Sequence, residues 1–219
     1  MKISKIASLL FLQLTLSYGA LPANSTLHNG LVAHYPLDGS TLDIIAGNNG
    51  VKYGSTIIGP KFATFNGTDD YIELAKANQF VTKKAEFTVS YWIRVKRPAN
   101  GKMSTRVSSF LSKRDHCGLE SAFDMRGSDF INFENLNSND HKAINGKLYQ
   151  DGWELITLVK ATKEGRSNYK LYTYSGFQAQ QVFNYTDSLL TKGDLSLSNS
   201  PCIHSMDGTE RFIGDIDDV

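Results

Sequence analysis

The sequence contains none of the compact motifs that place a nucleophile, a metal ion or a phosphate group. Gly-x-Ser-x-Gly would expose a serine nucleophile, His-Glu-x-x-His would bind zinc, and a glycine-rich loop before a helix would bind phosphate. None of the three occurs. The histidines show no metal-ligand spacing; they are His28, His34, His116, His141 and His204. We therefore predict that the chain is not an enzyme.

The most polar cluster of side chains falls in two predicted loops. The candidate ligand-binding residues in these loops are Arg114, Asp115, His116, Asn135, Asn137 and Asn139. Loops at the rim of a β-sandwich commonly contact ligands, because a rigid scaffold positions them while their sequence is free to vary. A solvated surface loop without a ligand is the alternative.

Aromatic rings offer a second means of binding, because a flat ring can stack on the face of a sugar. Trp92 lies on the polar face of a predicted strand, and Trp153 begins another strand. Further aromatic candidates are Tyr149, Tyr172 and Tyr174. Large rings in β-sandwiches are usually buried, so we favour packing of both tryptophans between the sheets over stacking on a ligand.

Cys117 and Cys202 both fall in predicted loops. Export would place them in a compartment that permits disulfides, and the bond would close a long loop and stabilise the fold by about 4 kcal/mol. Two separate thiols remain the alternative, because the sequence does not give the Cα separation that decides the matter. We predict the bond.

Short strands must position these residues. Apolar and polar side chains alternate over residues 87–96, which predicts a strand with one buried face. The other predicted strands are Leu31–Tyr35, Val51–Ile57, Lys61–Phe65, Tyr71–Leu74, Ser108–Ser112, Ala122–Met125, Phe130–Phe133, Trp153–Lys160, Tyr169–Tyr174, Gln181–Tyr185, Asp194–Leu197 and Arg211–Ile216. Turn dipeptides such as Asn49-Gly50 separate them.

The segments between these strands are predicted as loops, with one short helical turn at Ala75–Phe80. The longest loops are Pro98–Arg106, Leu136–Lys147 and Ser198–Thr209. A dozen short strands separated by such turns predict an all-β sandwich or jelly roll. No linker or internal repeat divides the chain after residue 30, so we expect one domain over residues 28–219.

The first residues resemble a secretory signal peptide. Lys2 and Lys5 precede an apolar stretch over 6–16 that is too short to span a bilayer, and small residues allow cleavage after Gly19. An N-terminal membrane anchor is the alternative. We predict a signal peptide at 1–19, a short extension at 20–27, and a secreted or cell-surface protein without membrane insertion after signal removal.

The charge balance argues against nucleic acid as a partner. The chain of 219 residues has 23 Lys and Arg, 22 Asp and Glu, and a formal net charge of +1. Nucleic-acid binding depends on a basic surface, and this composition offers no electrostatic support for one.

Seven segments, taken in order, resemble the laminin-G-like jelly-roll domain of the concanavalin A-like lectin/glucanase superfamily. They are GLVAHYPLDG at 30–39, the turn DIIAGNNG at 43–50, FNGTDDYI at 65–72, FTVSYWI at 87–93, LSKR at 111–114, DGWELI at 151–156 and FIGDIDDV at 212–219. The resemblance implies an antiparallel two-sheet sandwich. The family's last strand usually continues several residues beyond the final motif, so we expect that strand to be truncated here.

The resemblance also implies a structural Ca²⁺ ion. Its ligands map onto Asp38, the backbone carbonyl of Gly67, and Asp217, and a hard cation prefers such oxygens. The alternative is that Asp38 is a turn residue and Asp217 is merely exposed. Glucanases of the superfamily place two Glu around an Asp on one strand, and neither Glu-x-Asp-x-Glu nor Glu-x-Asp-x-x-Glu occurs here.

Together these patterns predict a secreted, non-catalytic module that binds carbohydrate or glycosylated surfaces such as glycoproteins. Two other functions remain open: a protein-binding adhesion module, and an accessory domain of a polysaccharide-active enzyme. The sequence does not distinguish among the three.

Overall fold

The computed structural model describes residues 30–74, 86–96, 108–114, 117, 121–127, 130–137, 140–148, 152–164, 166–173, 176–182, 193–203 and 210–219. The chain divides into two units, Met1–Leu31 and Val32–Val219, and the strands all lie in the second. The predicted helical turn at Ala75–Phe80 and the predicted loop at Pro98–Arg106 lie outside the described residues.

Within the described residues, sheet A has eight strands. Its order is β1 (Val51–Tyr53), β4 (Tyr71–Glu73), β13 (Asp194–Leu197), β6 (Ser108–Arg114), β7 (Ser121–Gly127), β8 (Phe130–Asn137) and β9 (Asp140–Lys147). These neighbours pair antiparallel. The short strand β14 (Glu210–Arg211) pairs with β6 in parallel.

In the described part of the chain, sheet B has seven strands, and all of its pairs are antiparallel. Its order is β12 (Gly176–Val182), β11 (Arg166–Thr173), β10 (Glu154–Lys163), β5 (Phe87–Val95), β15 (Ile213–Asp217), β3 (Ala63–Asn66) and β2 (Ile57–Ile58). The central strands β10 and β5 pair over seven residues from Glu154–Ile93 to Lys160–Phe87.

The hydrophobic core lies between the two sheets. Tyr91, Ile93 and Val95 of β5 are buried, as the alternation in the sequence predicts. The Tyr91 hydroxyl contacts Met125 Sδ of sheet A at 3.8 Å, and the rings of Phe133 and Tyr169 join the sheets at 4.7 Å between centroids. The prediction of an all-β, antiparallel two-sheet jelly-roll sandwich is therefore confirmed.

Two details of the strand prediction are wrong. Residues 136–147 were expected to form a loop, but most of them belong to β8 and β9, which pair from Phe130–Lys147 to Asn137–Asp140. A hairpin ladder is held by backbone hydrogen bonds, so a polar sequence can form it. Residues 31–35 are not a strand, yet Tyr35 exchanges two backbone hydrogen bonds with Val219, at 2.8 and 3.0 Å.

Candidate functional site

A polar cleft of about 340 Å³ lies on sheet A. Its lining residues are Glu73, Ser112, Arg114, Gly193, Asp194, Ser196, Asn199, Ser200 and Pro201. Three of these belong to neighbouring strands in one row: Ser196 of β13 is directly opposite both Glu73 of β4 and Ser112 of β6. The cleft is therefore built on the regular part of the sheet.

The alternation of side chains places this row on the outer face of sheet A, the face that points away from sheet B. Ile72, Leu111 and Leu197 are fully buried in the core between the sheets. Their chain neighbours must point the opposite way, because successive side chains of a strand alternate between faces. Glu73, Ser112 and Ser196 consequently face outward into the cleft.

The floor of the cleft is polar and almost fully shielded from solvent. Ser112 is 2% exposed and Arg114 is 6% exposed. Arg114 Nη1 forms an ion pair with Asp124 Oδ2 of β7 at 3.1 Å. The Ser112 hydroxyl oxygen is buried and has no hydrogen-bond partner within the described part of the chain. A buried polar atom without a hydrogen-bond partner is costly. A ligand that formed a hydrogen bond with the Ser112 hydroxyl would remove this cost.

One wall of the cleft is a segment that continues from β13, residues 198–203. Ser198 N donates to the carbonyl oxygen of Phe110 at 3.0 Å, and the Ser109 hydroxyl donates to the carbonyl oxygen of Asn199 at 3.1 Å. Cys202 is buried and forms a disulfide with Cys117, with their Cα atoms 4.8 Å apart. The predicted disulfide is confirmed, and it fixes this wall to the chain beyond β6.

A column of stacked side chains borders the cleft at Glu73. The rings of Tyr53 and Tyr71 stack at 4.4 Å between centroids and 6° between planes, and the Arg211 guanidinium lies 4.7 Å from the centre of the Tyr71 ring. Tyr53 is 37% exposed. The charge of Glu73 is the main cause that raises the pKa of the Tyr53 hydroxyl, so the carboxylate lies beside the column.

Of the ligand-binding residues proposed from the sequence, the structure places Arg114 in the cleft. Asn135 and Asn137 belong to β8 and not to the predicted loop. Asp115, His116 and Asn139 lie outside the described residues. The sequence prediction missed Tyr53, Glu73 and the other members of the row.

The expected packing of both tryptophans between the sheets is wrong. Trp92 alternates with the core residues Tyr91 and Ile93, so it lies on the outer face of sheet B. The Trp153 ring contacts the Phe62 ring at 5.5 Å between centroids, edge to face. The guanidinium of Arg94 lies 4.8 Å from the centre of the Trp153 ring.

The side chains of this outer cluster on sheet B bond mainly to one another, with Asp215 as their shared acceptor. Asp215 is fully buried, and its carboxylate accepts from Arg94 Nε and Lys96 Nζ, both at 2.7 Å, and from the Thr64 hydroxyl at 2.8 Å. The arrangement explains Trp153 as a packing partner of Arg94. Tyr172 lies on β11, and Tyr149 and Tyr174 are outside the described residues.

The three residues expected to bind Ca²⁺ do not come together. Gly67 follows Asn66, the partner of Ile213 at the start of β15, whereas Asp217 ends that strand. At about 3.3 Å per residue these positions are about 13 Å apart. Gly67 therefore cannot bind the same ion as Asp217, and that part of the expectation is wrong.

Asp38 and Asp217 do lie close together, with Asp218 and His34 beside them. Burial, followed by the charges of Asp218 and Asp38, raises the pKa of Asp217 to about 7. His34 Nε2 is 3.1 Å from Asp218 Oδ1. Among the described residues, no group of three or more His, Cys, Asp and Glu side chains has the geometry of a metal site.

No family model matches the chain, and no curated protein sequence matches it. Solved structures do. Domain 4 of AbnA, a GH43 extracellular arabinanase from Geobacillus stearothermophilus in complex with arabinotriose, is 16% identical with a TM-score of 0.57, covering 85% of this chain and 88% of that domain. The Ruminococcus gnavus IT-sialidase CBM40 bound to α2,3-sialyllactose is 12% identical with a TM-score of 0.54, covering 76% and 90%.

The receptor-binding domain of botulinum neurotoxin D is also similar, at 13% identity and a TM-score of 0.63 over 88% of this chain and 49% of that one. At such low identity these likenesses establish the β-sandwich fold. They do not confirm the laminin-G assignment. Within the part of the chain that the structure covers, no helix has the length and apolar character that a membrane span requires.

Proposed function

We propose that this chain is an exported, non-catalytic carbohydrate-binding module whose ligand occupies the cleft on sheet A. The observation that carries the proposal is the buried Ser112 hydroxyl on the cleft floor, which has no hydrogen-bond partner within the described residues. The solved structures of similar fold include an arabinanase domain in complex with arabinotriose and a CBM40 bound to sialyllactose, which supports carbohydrate as the ligand class.

The cleft and the aromatic column beside it together have the groups that sugar recognition requires. Sugar sites combine an aromatic face with a few polar groups that fix the orientation of the ligand. The partly exposed ring of Tyr53 offers the face, and Glu73 beside it offers a carboxylate acceptor. The serine hydroxyls and the Asn199 amide add donors and acceptors along the wall and floor.

The first prediction is that Tyr53→Ala weakens glycan binding by about 10-fold, because a stacking aromatic ring contributes on the order of 1 kcal/mol beyond its buried area. Wild type and variant are compared on a glycan array and then by calorimetry with the tightest oligosaccharide. Tyr172→Ala is the control, because Tyr172 lies on β11 of sheet B. Unchanged affinity of the Tyr53 variant would show that the ligand does not stack on this ring.

A wild-type protein that binds no glycan but captures a protein partner would favour the adhesion-module alternative. The arabinanase likeness supports a related possibility, an accessory domain of a polysaccharide-active enzyme, because that neighbour is itself one domain of such an enzyme. If this chain is an accessory domain of such an enzyme, the intact enzyme should adsorb to an insoluble polysaccharide more tightly than the enzyme without this chain.

We further propose that Asp38 and Asp217 bind a structural Ca²⁺ ion. Asp217 Oδ1 is buried and has no hydrogen-bond partner in the described structure, and Asp38 and Asp218 are close enough to raise its pKa. Carboxylates of like charge favour a divalent cation, and backbone carbonyl oxygens would have to complete its ligand set. The ion would offset the mutual repulsion of the carboxylates and so link folding to calcium.

The second prediction is that Ca²⁺ raises the melting temperature of wild-type protein and that EDTA lowers it. Asp38→Asn should remove most of this difference, whereas Asp69→Asn, an exposed acid in another turn, should preserve it. Scanning calorimetry measures the melting temperatures. Identical melting curves in Ca²⁺ and in EDTA would refute the ion.

A further inference from the structure

The charged side chains of the cleft are mainly acidic. Among the described residues that line it, Glu73 and Asp194 are acids and Arg114 is the one cation. Arg114 has an acid on each side: Asp124 Oδ2 lies 3.1 Å from Arg114 Nη1, and Asp194 is its direct partner across the β13–β6 ladder. The positive charge is therefore compensated within the protein.

A second arginine near the cleft, Arg211, is also held by the protein. Arg211 Nη1 donates to Asn199 Oδ1 at 2.9 Å and to the carbonyl oxygen of Ser198 at 3.3 Å. Its guanidinium lies over the Tyr71 ring. The carboxylates of Asp69 and Asp70 oppose the positive charge of Arg211, so its guanidinium is already engaged by the protein's own groups.

We infer that the cleft selects neutral glycans and rejects glycans whose recognised sugar carries a carboxylate, sulfate or phosphate. The inference rests on the proposed function and names the class of sugar that the same site takes. It would distinguish this chain from the similar CBM40 whose structure contains sialyllactose.

The chemistry of the two ligand classes explains the selection. A neutral sugar presents hydroxyl donors, which form charge-assisted hydrogen bonds with carboxylates such as those of Glu73 and Asp194. An anionic sugar would place a second negative charge beside the same carboxylates, and like charges opposed in a site that is partly shielded from water are strongly disfavoured. The Ser112 hydroxyl, which has no hydrogen-bond partner among the described residues, can bind either class, so it supplies affinity and not selectivity.

The test is a glycan array that prints neutral oligosaccharides beside the same oligosaccharides carrying sialic acid, a uronic acid or a sulfate. We expect wild type to bind the neutral member of each recognised pair at least about 10-fold more tightly, as is typical when binding opposes like charges. Raising the salt concentration from about 0.02 M to about 0.5 M should reduce the ratio of neutral-glycan affinity to acidic-glycan affinity, because salt screens the repulsion between the acidic glycan and the carboxylates.

The double variant Glu73→Gln, Asp194→Asn removes both charges at nearly constant shape. The double variant should bind the neutral and the acidic member of a pair with nearly equal affinity, mainly because it binds the acidic member better than wild type does. Glu164→Gln is the control: Glu164 is an exposed acid in the β10–β11 turn of sheet B, and its removal should leave the ratio unchanged. Melting curves verify that each variant is folded.

The outcomes separate the two proposals. Equal or tighter binding of the acidic members by wild type overturns the selectivity and leaves the carbohydrate-binding function standing. A ratio that does not change in the double variant also overturns the selectivity, because the acids then do not cause it. Absence of binding to every glycan overturns the function and the selectivity together.

Discussion

Asp43 organises the turn at residues 44–46, within the first described segment. It is buried, and its carboxylate accepts hydrogen bonds from the backbone N–H groups of His34 and Ile45, both at 3.0 Å, and of Asn48 at 3.2 Å. Burial alone would raise the pKa of Asp43, but these backbone donors hold it below its ordinary value. One carboxylate thus satisfies donors from both sides of the turn.

The third prediction is that Asp43→Ala lowers the free energy of unfolding by about 2 kcal/mol, because the variant leaves several backbone donors without their charged acceptor. Asp69→Ala is the matched control. It removes an acid from an exposed turn, so its effect should stay within about 0.5 kcal/mol. Urea unfolding measures both, and an Asp43 variant as stable as the control would contradict this role.

At the residue scale, the sequence predicted the candidate site only in part. Arg114 was identified because it follows a strand within a polar run. Tyr53 and Glu73 were not, because each belongs to a different short strand and nothing local shows which strands become neighbours. Their adjacency depends on the pairing of β1, β4 and β13, which joins segments that are distant in the sequence.

At the element scale, strands that bury one face were predictable and strands of mixed polarity were not. The alternation in β5 gave its extent closely, because burial of one face imposes a period of two. The hairpin of β8 and β9 was predicted in part as a loop, since the residues of 136–147 are mostly polar. Backbone pairing defines those strands, and backbone pairing leaves little trace in side-chain type.

The disulfide joins the chain beyond β6, at Cys117, to the wall 198–203 of the cleft. The fourth prediction is that the double variant Cys117→Ser, Cys202→Ser loses up to about 4 kcal/mol of unfolding free energy, since the bond no longer restricts a long loop in the unfolded chain. It should also bind glycan more weakly, because the wall loses its covalent tether.

Chemical unfolding and calorimetry with the tightest array ligand measure these two effects. Wild type in a reducing buffer should match the double variant in both. A variant that keeps full affinity while losing stability would show that the wall is held by its hydrogen bonds to Phe110 and Ser109 alone.

At the scale of the whole unit 32–219, its first and last described segments meet on sheet B's side of the fold. Tyr35 pairs with Val219, and this pairing brings Asp38 near Asp217 and Asp218. The general location of this acidic group was predictable from the family resemblance, whereas the exclusion of Gly67 needed the register of β3 against β15. Three like charges at the junction of two segments make the stability of the fold depend on pH.

The fifth prediction concerns that dependence in EDTA. The raised pKa of Asp217, about 7, means that the folded protein holds this proton more tightly than the unfolded chain. Its contribution to stability is therefore complete below about pH 4 and is lost as pH rises through about 7. The lowered pKa of Asp43 acts in the opposite sense: its contribution is present above about pH 4 and is lost as the solution becomes more acidic.

The free energy of unfolding should consequently be highest in mildly acidic solution and fall toward about pH 8. Asp217→Asn should flatten the decline on the alkaline side, because the variant has no proton to lose there, and Asp69→Asn should leave it unchanged. Urea unfolding across the pH range tests both. If Asp217→Asn declines as steeply as wild type, the repulsion among Asp217, Asp218 and Asp38 does not govern the stability of this end of the sandwich.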